Sequence, residues 1–235
     1  MGLAAPRAQR VNRFFVDDLA GDRISLPAAV AHQVRRVLRL RDGDPVVLLD
    51  GAGRQARCRL DGDEAVVEER GAAGGEPRHR LEICQALIKG DRLEQVIQHG
   101  TEIGVAAFRL LVSERCIVRE LSSRRVERLR AIAREAAEQS ERGLVPAVHD
   151  PVPLAAVLTP SSVLLYERHT GARLSQLEPP ASVIIGPEGG FTEAEVGEAR
   201  WLGVTLAGMG PRILRSESVA LAAASVILAR SGDFA

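Results

Sequence analysis

Ser182-Val183-Ile184-Ile185-Gly186-Pro187-Glu188-Gly189-Gly190-Phe191-Thr192 is followed, one short helical pattern later, by Val204-Thr205-Leu206-Ala207-Gly208-Met209-Gly210-Pro211-Arg212-Ile213-Leu214-Arg215-Ser216-Glu217-Ser218. Each stretch opens as a short apolar strand and ends in a glycine-rich loop. Glycine adopts backbone angles that other residues avoid, and lacking a side chain it lets another molecule reach the peptide groups. Two such loops at the carboxyl ends of neighbouring parallel strands mark where open α/β sheets place ligands, so the pair predicts one site. It is not a dinucleotide fingerprint, because G-x-G-x-x-G spacing is absent and the loops come late in the chain. No G-x-x-x-x-G-K-[ST] run occurs anywhere.

Toward the N-terminus of that pair, strand and helix alternate from Leu81 onward, the mark of a parallel sheet covered by helices. Strands are predicted at Leu81 to Leu87, Phe108 to Val112, Ser162 to Tyr166 and Ala181 to Ile185. Helices are predicted from Asp91 to Ile103, from Ser122 or Ser123 along Val126, Leu129, Ile132, Ala133 and Ala136, from Glu193 to Leu202, and from Ser216 to Arg230. The last is apolar nearly all round, so both its sides are expected to be buried, one of them against a second subunit.

Before Leu81 the texture differs. Arg10 to Val16 alternates into a strand that places Phe14 and Phe15 in a core. Val30, Val34, Val37 and Leu38 recur at helical spacing. Pro45 to Leu49, Arg54 to Leu60 and Ala65 to Glu69 read as short strands separated by Asp-Gly and Gly-rich turns. A small β-barrel carrying one helix is expected, with Gly71 to Pro77 as linker.

The 235 residues suit one large domain or two modest ones. Formal charge is zero, so composition alone does not propose a strongly basic nucleic-acid binder, although a neutral total can hide a basic face. Of the 31 basic residues only Lys89 is lysine, a pattern that coding bias toward arginine explains. Cys58, Cys84 and Cys116 are odd in number and widely spaced, and read as reduced core thiols. No apolar run approaches membrane-spanning length and no signal peptide opens the chain, so a cytoplasmic location is expected.

The motifs, taken in order, resemble those of the RsmE-type 16S rRNA uridine-N3 methyltransferases, members of the SPOUT class. Arg13-Phe14-Phe15 is similar to the family's N-terminal element, and His32 through Val37-Leu38-Arg39 to Gly43-Asp44 to its H-x-x-x-x-V-L-R-x-x-x-G-D stretch. Lys89 with Glu102 and Gly104 matches K-G-x…T-E-x-G. Glu135-Ala136-Ala137-Glu138-Gln139-Ser140-x-Arg142 matches E-A-x-E-Q-S-x-R, and the two glycine loops match the signature pair. His99 stands where the family commonly has lysine, Met209-Gly210 where it has Leu-Gly, and Ser216-Glu217-Ser218 where it has T-E-T.

This resemblance implies an α/β fold: a C-terminal trefoil-knot (SPOUT) domain over residues 78–235 and a smaller N-terminal PUA-like β-barrel over 1–72. It implies S-adenosylmethionine (SAM) as cofactor, 16S rRNA within the small ribosomal subunit as partner, and a homodimer. Gly186, Gly189, Gly190, Met209, Gly210, Ile213 and Leu214 are the expected cofactor wall, with Ser218 capping the last helix nearby. A glycine loop standing alone is equally a tight strand-to-helix turn.

N3 of uridine becomes nucleophilic as its proton leaves, and negative charge then spreads onto O2 and O4. The site therefore needs donors near those oxygens and a route for the proton. Arg212 and Arg215 are the candidate donors, and Glu188 and Glu217 the candidate base or orienting groups; either glutamate can instead be a helix N-terminal acid. Arg10, Arg13, Arg35, Arg36, Arg39, Lys89 and Arg142 are the candidate RNA contacts, though Arg35 and Arg39, four apart, can also be a solvated helix face. No metal is expected, since no ligand cluster is visible. Other readings are a SPOUT enzyme acting on ribose 2′-oxygens, a non-catalytic RNA-binding assembly protein, and a nucleotide-phosphate enzyme.

Overall fold

A computed structural model describes residues 11–234. They divide into two compact units, one running to Gly75 and including Glu141–Leu144, the other formed by Glu76–Ser140 and the chain from Val145 onward.

The first unit is a five-stranded mixed sheet. Its strands are β1 (Asn12–Phe15), β2 (Arg23–Ser25), β3 (Pro45–Leu49), β4 (Arg54–Asp61) and β5 (Glu64–Ala72), in the order β1-β3-β4-β5-β2. β1 runs parallel to β3, and the remaining pairs are antiparallel. Alternation decides the faces: on β4, Ala56, Cys58 and Leu60 point inward and the arginines between them outward. Phe14, Leu48, Ile24 and Val34 complete this core. β2, only three residues long, carries too little pattern to be foreseen.

Helix α1 (Ala28–His32) does not continue as the apolar spacing predicts. Gln33–Val37 form a π-helical turn in which the Leu38 N–H donates to Gln33 O at 2.9 Å. The extra residue per turn rotates the stripe, so Val30 and Val34 stay buried while Val37 is 63 % and Leu38 40 % exposed. Those two side chains therefore leave the core in which sequence spacing put them.

The second unit is an all-parallel six-stranded sheet of β6 (Glu82–Ala86), β7 (Ala107–Val112), β8 (Ala147–Pro153), β9 (Ser162–Leu165), β10 (Ser182–Ile185) and β11 (Thr205–Ala207), in the order β11-β9-β10-β6-β7-β8. β6, β9 and β10 are buried along nearly their whole length, as strands covered on both faces must be. β8, unforeseen because of Pro151 and Pro153, lies at the edge where proline costs no ladder bond. The covering helices are α2 (Arg92–Glu102), α3 (Ser123–Gln139, capped by Ser122), α4 (Glu193–Trp201) and α5 (Ser216–Arg230).

One expectation is corrected here. β10 and β11 are not neighbours, because β9 inserts between them. The two glycine loops thus flank a third strand end, which adds its own residues to the site.

Candidate active site

The carboxyl ends of β9, β10 and β11 open on a cavity of about 550 Å³. That volume lies within the ~300–1,000 Å³ typical of small-molecule sites. β9 supplies Leu165, Tyr166 and Glu167; the loop after β10 supplies Gly186 to Phe191; the loop after β11 supplies Met209, Gly210 and Arg212 to Ser216. Gly190 has φ +67°, and a Cβ there would lie 2.9 Å from Glu167 Oε1. Any larger residue would strain the turn and push the Glu167 carboxylate aside.

Hydrogen bonds hold the β10 loop from two sides. Behind it, Ser216 Oγ donates to Gly186 O at 2.6 Å and accepts from Gln85 Nε2 at 2.8 Å. Gln85, at the end of β6, is fully buried, and its Oε1 has no partner among the described residues. In front, Arg115 Nη1 donates to Gly189 O (3.0 Å), and Thr192 and Glu195 form a capping box that starts α4. Glu195 also accepts the Glu114 N–H at 2.7 Å, tying the loop after β7 to the same turn. The Tyr166 hydroxyl donates to Glu193 Oε1 at 2.7 Å, and that bond raises its pKa, keeping the phenol protonated.

Three charged side chains meet beside the cavity. Arg92, the first residue of α2, lies 3.4 Å from Glu188 Oε1 and 3.6 Å from Glu217 Oε1. Glu188 Oε1 also accepts the Lys89 N–H at 3.0 Å. Glu217 Oε2 is buried without a partner among the described residues, so this oxygen retains full accepting capacity. Arg212 and Arg215 are exposed on the cavity wall.

Most of the residues singled out in the sequence come together here. Gly186, Gly189, Gly190, Met209, Gly210, Ile213 and Leu214 line the cavity, as do Glu188, Arg212 and Arg215; Glu217 stands behind it through Arg92. Ser218 does not join them: it is exposed inside the first turn of α5, whose N-cap position is Arg215 and carries no side-chain cap. Two positions earlier, Ser216 bonds Gly186 O and Gln85 instead and caps no helix end. Arg92, Gln85, Tyr166 and Glu167 were not foreseen. A buried polar residue closing an apolar strand was the available signal for Gln85.

The candidate RNA contacts scatter. Arg10 lies outside the described residues. Arg13 is half-buried, with Nη2 3.5 Å from Gln55 Oε1. Arg35 is a brace and not a free cation: it donates to Leu40 O at 3.0 Å, to Asp42 and to Gly62 O. The Asp42 carboxylate accepts the Gly62 N–H at 3.0 Å, and that bond first and Arg35 second lower its pKa. Arg36, Arg39 and Lys89 are exposed. Arg142 is 2 % exposed, so its guanidinium is enclosed by protein instead of facing a nucleic acid. No group of three or more His, Cys, Asp or Glu side chains arranged for a metal occurs among the described residues.

Residues 75–228 match a family described as RNA methyltransferase domain. Among curated proteins, the chain is similar to ribosomal RNA small subunit methyltransferase E of Bacillus subtilis, 34 % identical over 226 residues, 86 % of this chain and 88 % of that protein. The Synechocystis protein of the same name is 34 % identical over 223 residues, covering 87 % and 73 %. Among solved structures, ribosomal RNA small subunit methyltransferase E from Neisseria gonorrhoeae, bound to S-adenosyl methionine, superposes with a TM-score of 0.84 at 28 % identity, covering 93 % of this chain and 97 % of that one. A Legionella pneumophila methyltransferase with bound SAM gives 0.80 at 26 % identity, covering 94 % and 98 %.

Proposed function

This chain belongs to the family of ribosomal RNA small subunit methyltransferases E, and we infer that it transfers a methyl group from SAM to N3 of one uridine in 16S rRNA. The observation that carries the reading is the cavity at the ends of β9, β10 and β11, walled by two glycine loops that Gln85 and Ser216 lock together.

The residues present suit SAM in size and chemistry. Gly190 lets the β10 loop turn close against Glu167 without a side chain, and Met209, Ile213 and Leu214 give an apolar wall with main-chain groups between them. When bound, SAM supplies a methyl group made electrophilic by its sulfonium. Arg212 and Arg215 present guanidinium donors to uracil O2 and O4 as negative charge develops there, a stabilisation worth ~10²–10³ in rate per donor. Glu217, behind the cavity wall, holds the Arg92 guanidinium in place at its rim. Glu188, already engaged by the Lys89 N–H and Arg92, orients the β10 loop.

The same inference extends to the molecule. The segment after β9 crosses over the end of β11, with Gly208 N–H donating to Ala172 O and Leu174 N–H to Gly208 O, and Arg230 of α5 donates to Leu177 O. These bonds support a trefoil knot for residues 78–235. The five-stranded mixed sheet supports a PUA-like RNA-binding barrel within residues 1–72, which Arg13, Arg36 and Arg39 serve. A homodimer through α5 is supported by its apolar composition and by Leu221 left partly exposed on it. Cytoplasmic action on ribosomal subunits follows from the substrate.

The test is methyl transfer from labelled SAM to small ribosomal subunits lacking the modification, read by nucleoside mass spectrometry. One 3-methyluridine is expected, lost by at least ~100-fold in Arg212→Ala with SAM affinity retained. Ribose methylation, or SAM binding without transfer to any subunit preparation, overturns the substrate assignment.

A further inference from the structure

The turn that follows α1 is built in a way its fold does not require. The π-helical turn Gln33–Val37 is followed by Arg39 at φ +56°, left-handed backbone that residues with a side chain rarely adopt. Arg35 over-determines this geometry by reaching Leu40 O, Asp42 and Gly62 O together, while the Gly62 N–H and Arg41 N–H are held by Asp42 and Asp44. Strained backbone braced from several directions is a feature of binding sites.

The bracing lifts four consecutive side chains into solvent. Val37 and Leu38 are aliphatic and exposed, and Arg36 and Arg39 flank them, neither having a partner among the described residues. From His32 through Arg41 the chain holds four arginines and no acid. An aliphatic tip between two uncommitted guanidinium groups is complementary to a polyanion that also has apolar faces to offer, which is the chemistry of RNA with unstacked bases.

Aromatic side chains usually supply base contacts, and this unit cannot use its own: Phe14 and Phe15 are 1 % and 2 % exposed. The proposed reaction also needs such a contact, because N3 lies on the Watson–Crick edge and is reachable only in an unpaired base.

We propose that Val37 and Leu38 form an aliphatic wedge that packs against unstacked bases of the substrate RNA while Arg36 and Arg39 hold the flanking phosphates. The inference rests on the rRNA substrate proposed above and adds how the RNA is gripped. The wedge and the clamp separate experimentally, since apolar base contact is insensitive to salt and phosphate contact is not.

The test compares wild type with Val37→Ser/Leu38→Ser, Leu38→Met and Arg36→Gln for binding to unmodified small subunits across a salt series. A 2-aminopurine-labelled RNA hairpin carrying an unpaired uridine reports base unstacking by its fluorescence. The double serine variant is expected to bind about tenfold more weakly with an unchanged salt slope and to lose the fluorescence rise. Leu38→Met keeps both, and Arg36→Gln lowers the slope by about 0.7 to 0.9. Amide hydrogen exchange in β3, β4 and β5 stays at the wild-type rate in all three, which confirms that the first unit is folded.

Wild-type RNA binding and fluorescence in the double serine variant overturn the wedge while leaving the methyltransferase reading intact. Unchanged RNA binding with altered sedimentation assigns the patch to a second copy of the chain and equally overturns it. A wild-type protein that binds SAM but no RNA removes the substrate reading and the wedge with it.

Discussion

Arg142 and Arg212 are the same amino acid with opposite surroundings, one enclosed in protein and the other open on the cavity wall. Arg142→Ala is therefore expected to cost stability, on the order of 2 kcal/mol in urea unfolding, and to leave the salt slope of RNA binding unchanged. A drop in that slope with stability intact restores Arg142 as an RNA contact. Cys84 makes a second contrast. Burial, with Glu82 adding like charge, pushes its thiol up to about 12, so the folded chain favours the neutral form. This contribution is complete below the unfolded thiol's value near 9.0 and is lost as pH rises from there toward 12. At pH 8 no reaction of Cys84 with a thiol reagent is expected in the folded protein and full reaction in urea, scored by mass spectrometry of the labelled peptide.

At the scale of elements, two helix caps have the same chemistry and different consequences. Ser122 caps α3 through the Arg125 N–H, away from the cavity lining, while Thr192 caps α4 at the turn that forms the cavity wall. Each cap is worth ~1 kcal/mol. Ser122→Ala is expected to lose that in unfolding free energy with an unchanged Kd for SAM. Thr192→Ala loses a similar amount and also frees the β10 loop, raising the Kd about fivefold if the whole cap energy appears in binding. Equal Kd values for both variants would mean that Arg115 and Ser216 suffice to hold the loop.

At the scale of the molecule, the described residues form two hydrophobic cores, one in each compact unit. A ligand that binds only the folded state protects what it binds, by ~2.7 kcal/mol at a concentration of 100 Kd. Hydrogen exchange with saturating SAM is expected to slow amides in β6, β9, β10, α4 and α5 far more than those in β3, β4 and β5. Equal protection in both units shows that they unfold as one cooperative body. Comparable protection confined to the first unit moves the cofactor site away from the glycine loops.

The sequence by itself determined the local structure, because the relevant physics is local. Apolar runs specified β6, β9 and β10, helical spacing and Ser122 specified α3, and Gly190 and Gly210 marked where the backbone turns through positive φ. It also carried the motif order from which the family is legible. Tertiary structure alone decided which strand ends meet. β9 inserts between β10 and β11, bringing Tyr166 and Glu167 to the cavity, and the Gln85–Ser216 bond joins residues 131 apart in the chain. Periodicity cannot encode such contacts, since each residue's own pattern is satisfied whichever partner it finds. The fates of Arg142, Val37 and Leu38 were settled the same way: one guanidinium is closed off from solvent, and one π-helical turn rotates two aliphatic side chains out of the core.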